Sequence, residues 1–445
     1  YVSQETVIFD DTIANNICMW AGDYKTDKDL FSDIKEAARQ ANILNFFESL
    51  EDGFDSMVGD RGVMLSGGLD SSAIAALTAE CRGDADFHTF SIGFEDQTFD
   101  ESHHAQIVAD HLGTNHHHIG VTAAHVAELL PRYLGSIQEP YADGSAIPTA
   151  LLAASAKPHV TVLLSGEGGD EFFTGYDTHA AAVARRRYRL LPAWFRRFCV
   201  TPVVQQLPVS HRKLSFDFKA KRFVHGAEFS AARAHYAWRE VLNEECKREL
   251  VTFDATKINL KDSHTLFSEA WEECDSVHEL HCMLHTDRQF HLPDDLMVKN
   301  DRMTMAASIE TRVPFCDSDL VAYLATVPPE HLMDGLRPKS LLRHAMKPLL
   351  PASILRRKKM GLEMPYSNWI RGEIFEIVDH ILSEDRVSKT NLLNPGPVRK
   401  LLREHNRMMV DHGRALWGLV NFVVWHELFI QTDDFVDTAV LAPID

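Results

Sequence analysis

Two segments of the chain each place glycines, hydroxyls and a carboxylate directly after a short apolar run. The first, residues 66–72, reads Ser-Gly-Gly-Leu-Asp-Ser-Ser and stands between an apolar run at 63–65 and a helix pattern that continues through Ala79. Its glycines let the backbone approach an anion, and the following helix would present unpaired N–H groups and a positive dipole end. Because a carboxylate repels phosphate directly, Asp70 fits this position as a ligand of Mg²⁺ lying between the two.

The second segment, residues 164–171, reads Leu-Ser-Gly-Glu-Gly-Gly-Asp-Glu and ends an apolar run at 160–164. It repeats the combination of strand, glycine turn and carboxylate, so Asp170 is a second candidate Mg²⁺ ligand. The Walker A pattern G-x-x-x-x-G-K-[ST] does not occur in the sequence. A nucleotide site here would therefore not be of the P-loop NTPase kind.

A parallel sheet would bring the two segments side by side. We predict strands at 63–65, 87–92 and 160–164, alternating with helices, and hence an α/β fold with a doubly wound parallel sheet. Ligands of such sheets bind beyond the carboxyl ends of the strands, where both glycine segments fall. Further helices are predicted at 29–50, 99–112, 267–289 and 399–430, and a loop is predicted at 207–226.

Composition limits the classes of function. The 445 residues include 45 Lys and Arg against 64 Asp and Glu, a formal net charge of −19. This balance argues against broad binding to nucleic acid or to an anionic membrane, but leaves room for a local basic phosphate pocket. The longest apolar run, 415–425, is too short to span a bilayer. Seven scattered cysteines without a CxxC pair favour a reducing compartment.

Three consecutive histidines, His116, His117 and His118, invite a metal hypothesis. Neighbouring side chains of a strand point to opposite faces, and no acidic or cysteine partner stands at an obvious ligand spacing. A structural role in a loop or at a strand edge is therefore the favoured interpretation.

Several other motifs accompany the glycine segments in order, at 90–94 with 99–101, 112–114, 139–140 with 146–148, 292–305, 310–315 and 357–361. Together they resemble the synthetase domain of asparagine synthetases, a PP-loop ATP pyrophosphatase, over about 62–435. The resemblance implies a fold like that of the adenine nucleotide α-hydrolases, with a helical C-terminal part.

The resemblance also implies roles for individual residues. Mg²⁺ would bind Asp70 and Asp170, Glu167 would lie beside the reacting carboxylate, and Lys359 would stabilise charge developing at the α-phosphate. Asp295 is similar to a carboxylate that binds the amino group of substrate aspartate. The residues that would hold ATP are Met64, Leu65, Ser66, Gly67, Gly68, Asp70, Ser71, Ser72, Ile92, Ser165 and Gly166.

Two of the implied roles have simpler alternatives. Lys359 belongs to the basic run 356–359, and without the resemblance a solvated surface lysine is the favoured interpretation. Glu310 and Arg312 could contact substrate, and they fit a structural ion pair equally well.

Residues 1–68 resemble a different family, the helical subdomain of ABC exporter ATPases. The similarity comprises a Q-loop-like start at 1–5, its continuation at 9–17, and residues 53–62 leading into Leu-Ser-Gly-Gly at 65–68, the form of the ABC signature. We therefore predict an ABC-like fragment at 1–61 and a synthetase domain at 62–445. A gene fusion, a recombined pseudogene and an erroneous joining of two reads are three open explanations. Without Walker A, the fragment is not expected to hydrolyse ATP alone.

The predicted function is that of an ATP-dependent amide ligase, for which aspartate is the first candidate substrate. ATP would adenylate the carboxylate with release of pyrophosphate, and ammonia would then give the amide and AMP. No glutaminase domain is recognised in the sequence, so ammonia is expected from solution or from a separate glutaminase. Alternatives are a ligase acting on a peptide or envelope precursor, a transporter ATPase component, and an inactive chimera. We expect a cytoplasmic protein that neither inserts into membranes nor binds nucleic acid. A homodimer is a further expectation for its assembly.

Overall fold

The computed structural model describes residues 11–19, 21–41, 43–49, 53–55, 57–58, 61–82, 87–213, 215–253 and 261–431. The Q-loop-like residues 1–5 lie outside this part of the chain. None of the helices in the described ranges combines the length and the apolar character needed to cross a bilayer.

Five parallel strands form the central sheet, and a two-stranded antiparallel pair precedes it. The pair consists of β1 (Asp11–Thr12) and β2 (Met57–Val58). The order in the main sheet is β5-β4-β3-β6-β7. Its strands are β3 (Arg61–Met64), β4 (His88–Phe94), β5 (Asn115–Val121), β6 (Val162–Leu164) and β7 (Glu310–Arg312). The predicted α/β class with a parallel sheet is thereby confirmed.

Helices cover both faces of this sheet. Phe90 and Ile92 of β4 belong to one buried cluster, with apolar residues of the helices that follow β5, whereas Val63 and Leu65 belong to another, with the helices that follow β3 and β4. Opposite faces of the strands thus bury their side chains against different helices. Up to β6 and the turn after it the helices are α1 (Ile13–Cys18), α2 (Lys28–Gln40), α3 (Leu44–Ser49), α4 (Leu69–Arg82), α5 (Ser102–Leu112), α6 (Ala123–Ile137), α7 (Ala146–Ala156) and α8 (Gly169–Phe173).

The rest of the described chain is mainly helical. Short 3₁₀ segments lie at Gly53–Asp55 and Pro314–Cys316, and π-helical turns at Arg196–Val200, Leu292–Met297 and Glu427–Gln431. The remaining helices are α9 (Asp177–Tyr188), α10 (Ala193–Phe195), α11 (Thr201–Gln205), α12 (Phe216–Ala227), α13 (Ala231–Arg239), α14 (Glu244–Leu250), α15 (Ser263–Glu272), α16 (Glu279–Gln289), α17 (Val298–Met305), α18 (Ser318–Ala325), α19 (Pro329–Leu332), α20 (Ser340–Ala345), α21 (Ala352–Arg356), α22 (Tyr366–Arg371), α23 (Phe375–Ile381), α24 (Glu384–Lys389), α25 (Pro395–Asn406) and α26 (Gly413–His426).

The predicted loop at 207–226 is wrong over its second half, because α12 begins at Phe216. Its local sequence is a weak helix signal, but α12 packs on α13, where the rings of Phe223 and Trp238 stack with centroids 6.2 Å apart. Tertiary packing thus overrides a weak local preference.

Three predicted helices are interrupted. The prediction at 29–50 becomes α2 and α3, the one at 267–289 becomes α15 and α16, and the one at 399–430 becomes α25 and α26. Local side-chain bonds explain the last break, since Asp411 Oδ1 accepts from the Gly413 N–H at 2.9 Å just where α26 begins. Met408, with φ of 56°, also leaves the helical region.

Candidate active site

The two glycine turns meet at the carboxyl ends of neighbouring strands. Strands β3 and β6 are paired, with Val63 opposite Leu164, so the turns that follow them start side by side. A Cβ atom on Gly166 would lie only 2.6 Å from the Ser71 nitrogen. Glycine is therefore required where the second turn touches the start of α4, and this contact fixes the spacing of the two turns.

Two carboxylates from these turns share a pair of lysines. Asp70 lies in the first turn of α4 and Asp170 in α8, and both carboxylates contact the same Lys339 ammonium. The Lys359 ammonium contacts Asp170 as well and lies 3.9 Å from Asp70 Oδ2. The structure thus brings both predicted metal ligands and the predicted catalytic lysine into one charged cluster.

The charges in this cluster stabilise one another. Burial alone would raise the pKa of Asp170, but the two lysines outweigh it and hold that pKa well below its usual range. Burial alone would lower the pKa of Lys359, but Asp170 and Asp70 raise it above its usual range. Asp170 is therefore ionised and Lys359 protonated at neutral pH.

The carboxylate oxygens fit a hard divalent cation. Asp70 Oδ1 is buried and accepts no hydrogen bond, although Oδ2 of the same group is paired with lysine. An unsatisfied buried carboxylate oxygen beside a second carboxylate matches the oxygen ligands that Mg²⁺ prefers. Asp70 and Asp170 are thus the residues that would hold the ion.

A cavity of about 1310 Å³ opens over the two turns. Most of the predicted site residues line it, from the nucleotide turn to the candidate substrate carboxylate. They are Met64, Leu65, Ser66, Asp70, Ser71, Ile92, Ser165, Gly166, Glu167, Asp170, Asp295 and Lys359.

Three residues predicted to hold ATP do not line this cavity, namely Gly67, Gly68 and Ser72. The Ser72 hydroxyl is fully buried and donates to the Gly68 carbonyl at 2.6 Å, the bond expected of a serine inside a helix. Gly67 has φ of 69°, and a Cβ there would lie 2.5 Å from the Ala105 nitrogen. The position of these residues favours a role in shaping the turn over a role in lining the site.

Glu167 is held by a buried lysine that the sequence analysis did not single out. Lys299 Nζ lies 2.6 Å from Glu167 Oε1, 3.5 Å from Asp143 Oδ2 and 3.0 Å from Ser145 Oγ. Burial raises the pKa of Glu167 even though Lys299 opposes the shift. Glu167 is thus a carboxylate that accepts a proton more readily than an ordinary glutamate.

Asp295 adds a further carboxylate to the wall of the cavity. His291 Nδ1 lies 3.1 Å from Asp295 Oδ2, and the Tyr141 hydroxyl donates to the Asp295 backbone carbonyl at 2.5 Å. Burial would raise the pKa of Asp295, but the hydrogen bond and the charge of His291 lower it. Asp143, Glu167 and Asp295 together provide a local excess of carboxylate, which suits a cationic amine.

Glu310 and Arg312 are not among the cavity residues. They lie on β7, where Arg312 Nη2 is 2.5 Å from Glu310 Oε1, with about half of each side chain exposed. This placement supports the ion-pair alternative, and the structure does not bring the two side chains together with the other predicted site residues. The Arg312 carbonyl does support the site, because it accepts from the Ser165 N–H at 2.8 Å where the second turn begins.

Lys339 is the main functional candidate that the sequence analysis missed. It is only 2% exposed, and its ammonium contacts both Asp70 and Asp170. Its surroundings in the sequence, Arg-Pro-Lys-Ser at 337–340, give no sign of burial. Only the packing of the segment before α20 against both turns identifies it.

Sequence comparisons found similarity to known proteins. The family model described as asparagine synthase matches residues 56–427. An asparagine synthetase (glutamine-hydrolyzing) of Mycobacterium tuberculosis is 32% identical over 374 residues, covering 83% of this chain and 55% of that protein. Asparagine synthetase (glutamine-hydrolyzing) 1 of Bacillus subtilis is 29% identical over 371 residues, covering 83% and 56%.

A second, shorter similarity is of a different kind. An ATP-dependent lipid A-core flippase of Methylococcus capsulatus is 46% identical over 68 residues, which are 15% of this chain and 11% of the flippase. The chain spans about half the length of the curated synthetases it matches.

Proposed function

Because the chain belongs to the asparagine synthase family, we propose that it is an ATP-dependent ligase that forms an amide from a carboxylate and ammonia, with AMP and pyrophosphate as products. Aspartate is the proposed acid and asparagine the proposed product. The observation that carries the proposal is that Asp70, Asp170 and Lys359 line one cavity at the carboxyl ends of β3 and β6, while the buried Lys339 contacts both carboxylates.

In the first step, an oxygen of the substrate carboxylate attacks the α-phosphorus of ATP. The bond from that phosphorus to the bridging oxygen breaks, and pyrophosphate leaves with the electron pair. Lys359 would lie against the phosphoryl oxygens, where a compact ammonium stabilises developing negative charge, and Lys339 would hold the carboxylates of Asp70 and Asp170 in place. Mg²⁺ on Asp70 and Asp170 would neutralise the triphosphate when bound.

In the second step, ammonia attacks the carbonyl carbon of the acyl-adenylate, the carbon–oxygen bond to AMP breaks, and a proton must leave the nitrogen. Glu167 is the proposed acceptor of that proton, since burial raises its pKa and Lys299 fixes its position. Asp295 is proposed to bind the α-amino group of the acid. Free ammonia or a separate glutaminase is the proposed nitrogen source.

The experiment is a product analysis with ATP, Mg²⁺, ammonium and aspartate. The proposal predicts equal amounts of AMP, pyrophosphate and asparagine, all dependent on the acid, and none of them in an Asp70→Ala control. Formation of ADP and phosphate, or equal activity in the control, would refute it.

A second candidate is a ligase of the same chemistry that acts on a larger acid, such as a peptide or an envelope precursor. The cavity of about 1310 Å³ must hold ATP as well as the acid, and its size is compatible with either kind of acid. A panel of acids separates the two, since the larger acid would support AMP formation where free aspartate does not.

The arrangement of the whole chain is part of the proposal. We keep the division into an ABC-like fragment at 1–61 and a synthetase domain at 62–445, a cytoplasmic location and a homodimer as proposals. A transporter ATPase component and an inactive chimera are the remaining alternatives. Size-exclusion chromatography with light scattering tests the dimer, and absence of ATP binding would favour the chimera.

A further inference from the structure

Three histidines from distant parts of the sequence gather beside the amino-terminal half of the sheet. His88 is the first residue of β4, His117 is the third residue of β5, and His159 lies just before β6. None of them is among the residues that line the cavity. The proposed ligase chemistry therefore leaves this cluster without a role.

The three imidazoles present their nitrogens to one another. His88 Nδ1 and His117 Nε2 are 2.8 Å apart, and the rings of His117 and His159 have centroids 4.2 Å apart. One ring nitrogen from each histidine lies within 4.8 Å of those of the other two. Phe90, which is fully buried, stacks on His117 with ring centroids 4.8 Å apart, and so forms an apolar floor under the cluster.

Strand alternation separates His117 from its neighbours in the sequence. His116 on the opposite face is held by hydroxyls, with Nδ1 2.9 Å from Thr89 Oγ1 and Nε2 3.0 Å from Ser91 Oγ. His118 shares that face, where its ring lies against Gly93. Only the middle histidine of the three can join His88 and His159.

We propose that His88, His117 and His159 form a binding site for a divalent transition metal ion such as Zn²⁺. Three imidazole nitrogens with a water in the fourth position are an established ligand set for this ion. Three nitrogens that each lie about 2.0–2.1 Å from one ion must be closer to one another than 4.8 Å. Modest rotations of these partly exposed side chains would bring the nitrogens to that spacing.

The chemistry of the cluster selects the class of ion. Neutral imidazole, which has a lone pair on one ring nitrogen, is the ligand form of histidine. Zn²⁺, Co²⁺, Ni²⁺ and Cu²⁺ accept imidazole, whereas Mg²⁺ prefers oxygen. The ion bound here would thus differ from the one proposed at Asp70 and Asp170.

The test titrates Zn²⁺ and Co²⁺ into the full chain after chelator treatment, with any histidine tag removed, by calorimetry and visible absorption. We expect one equivalent of either ion to bind in the presence of excess Mg²⁺. His117→Ala and His159→Ala should each weaken metal binding at least about 100-fold. Loss of a residue that only hydrogen-bonds to a metal ligand lowers metal affinity by about 10–100-fold, and loss of the ligand itself should lower it at least as much. His118→Ala is the matched control and should bind normally.

Three results would overturn the proposal. One is a wild-type chain that binds neither ion stoichiometrically, and another is His117→Ala binding as tightly as His118→Ala. The third is a thiolate-to-cobalt absorption band, which would assign the ion to a cysteine site. Circular dichroism of each variant distinguishes loss of the site from loss of the fold, and retained ATP binding in His159→Ala keeps this test separate from that of the ligase function.

Discussion

At the scale of single residues, the site depends on charges that are buried together. Asp70, Asp170, Lys339 and Lys359 form a compact set in which two carboxylates and two ammonium groups balance. ATP with a bound divalent cation would bring negative phosphoryl oxygens and a positive ion to this cluster. Lys359 would then pair with phosphoryl oxygens while the two carboxylates pair with the cation.

Lys359→Met is expected to lower the turnover number at least about 100-fold, with a much smaller change in ATP affinity. The reason is that the ammonium stabilises charge that develops at the α-phosphate mainly in the transition state. Turnover and nucleotide affinity should be measured together. Lys358→Met is the matched control because Lys358 is exposed, and similar losses in both variants would contradict the role of Lys359.

Glu171 is expected to make stability depend on pH. Burial, assisted by the charge of Asp170, raises the pKa of Glu171 to about 7 from 4.5, so the folded chain binds a proton there that the unfolded chain does not. This contribution is fully present below about pH 4.5 and is lost as the pH rises through about 7.

Glu171→Gln should remove this dependence, because glutamine stays neutral. The variant should be more stable than the wild type at about pH 8, by up to about 3 kcal/mol, and similar to it near pH 4.5. Thermal midpoints measured across this range provide the check. If the variant lost the same amount of stability at every pH, burial of the ionised Glu171 carboxylate would not be the cause of the pH dependence.

At the scale of elements, the site is made by turns that follow adjacent strands. The apolar runs and glycines at 63–68 and 160–169 predicted both turns, because strand, glycine turn and helix is a local pattern. Strand β7 was not predicted, since it has only three residues and all of them are polar. Lys299 and Lys339 were not predicted either, because each becomes a site residue only through packing against turns far away in the sequence.

Gly166→Ala tests the contact between the two turns. The added methyl group would meet the Ser71 nitrogen, so we expect a loss of about 1–3 kcal/mol of stability and weaker nucleotide binding. Gly120→Ala is the matched control, because a Cβ there meets no atom within 4 Å. Chemical denaturation and nucleotide titration of both variants measure the effect, and equal behaviour would mean that the turns can separate without cost.

At the scale of the whole molecule, the segment before the sheet has a small core of its own. Ile13, Ala14, Tyr24, Ile34, Ala38 and Phe54 form a buried cluster, and the partly buried apolar residues packed on it lie between Ile17 and Phe47. Phe54 contacts Phe31 and Phe47, with ring centroids 5.5 and 5.6 Å apart. The buried residues of this cluster lie between Ile13 and Phe54 and belong to neither of the clusters that cover the sheet. A core of its own for this segment supports the proposed domain boundary near residue 61.

Phe54→Ala is therefore expected to destabilise the amino-terminal segment alone. Removing a buried phenyl ring costs about 3–5 kcal/mol, and the loss should fall on α1 to α3. Hydrogen exchange should rise in peptides from Lys28–Gln40 and stay unchanged in Gly413–His426. A rise in both regions would show that the two parts fold as one unit.

The central claim is that Asp70 and Asp170, 100 positions apart in the sequence, hold one cation for one nucleotide. Electron paramagnetic resonance of Mn²⁺, with a non-hydrolysable ATP analogue, tests it most directly in the wild type, Asp70→Asn, Asp170→Asn and the double variant. We predict one bound Mn²⁺ per chain in the wild type, lost in each single variant, with no further loss in the double variant because the ligands act together. A single variant that retains the ion, or losses that simply add, would contradict the claim.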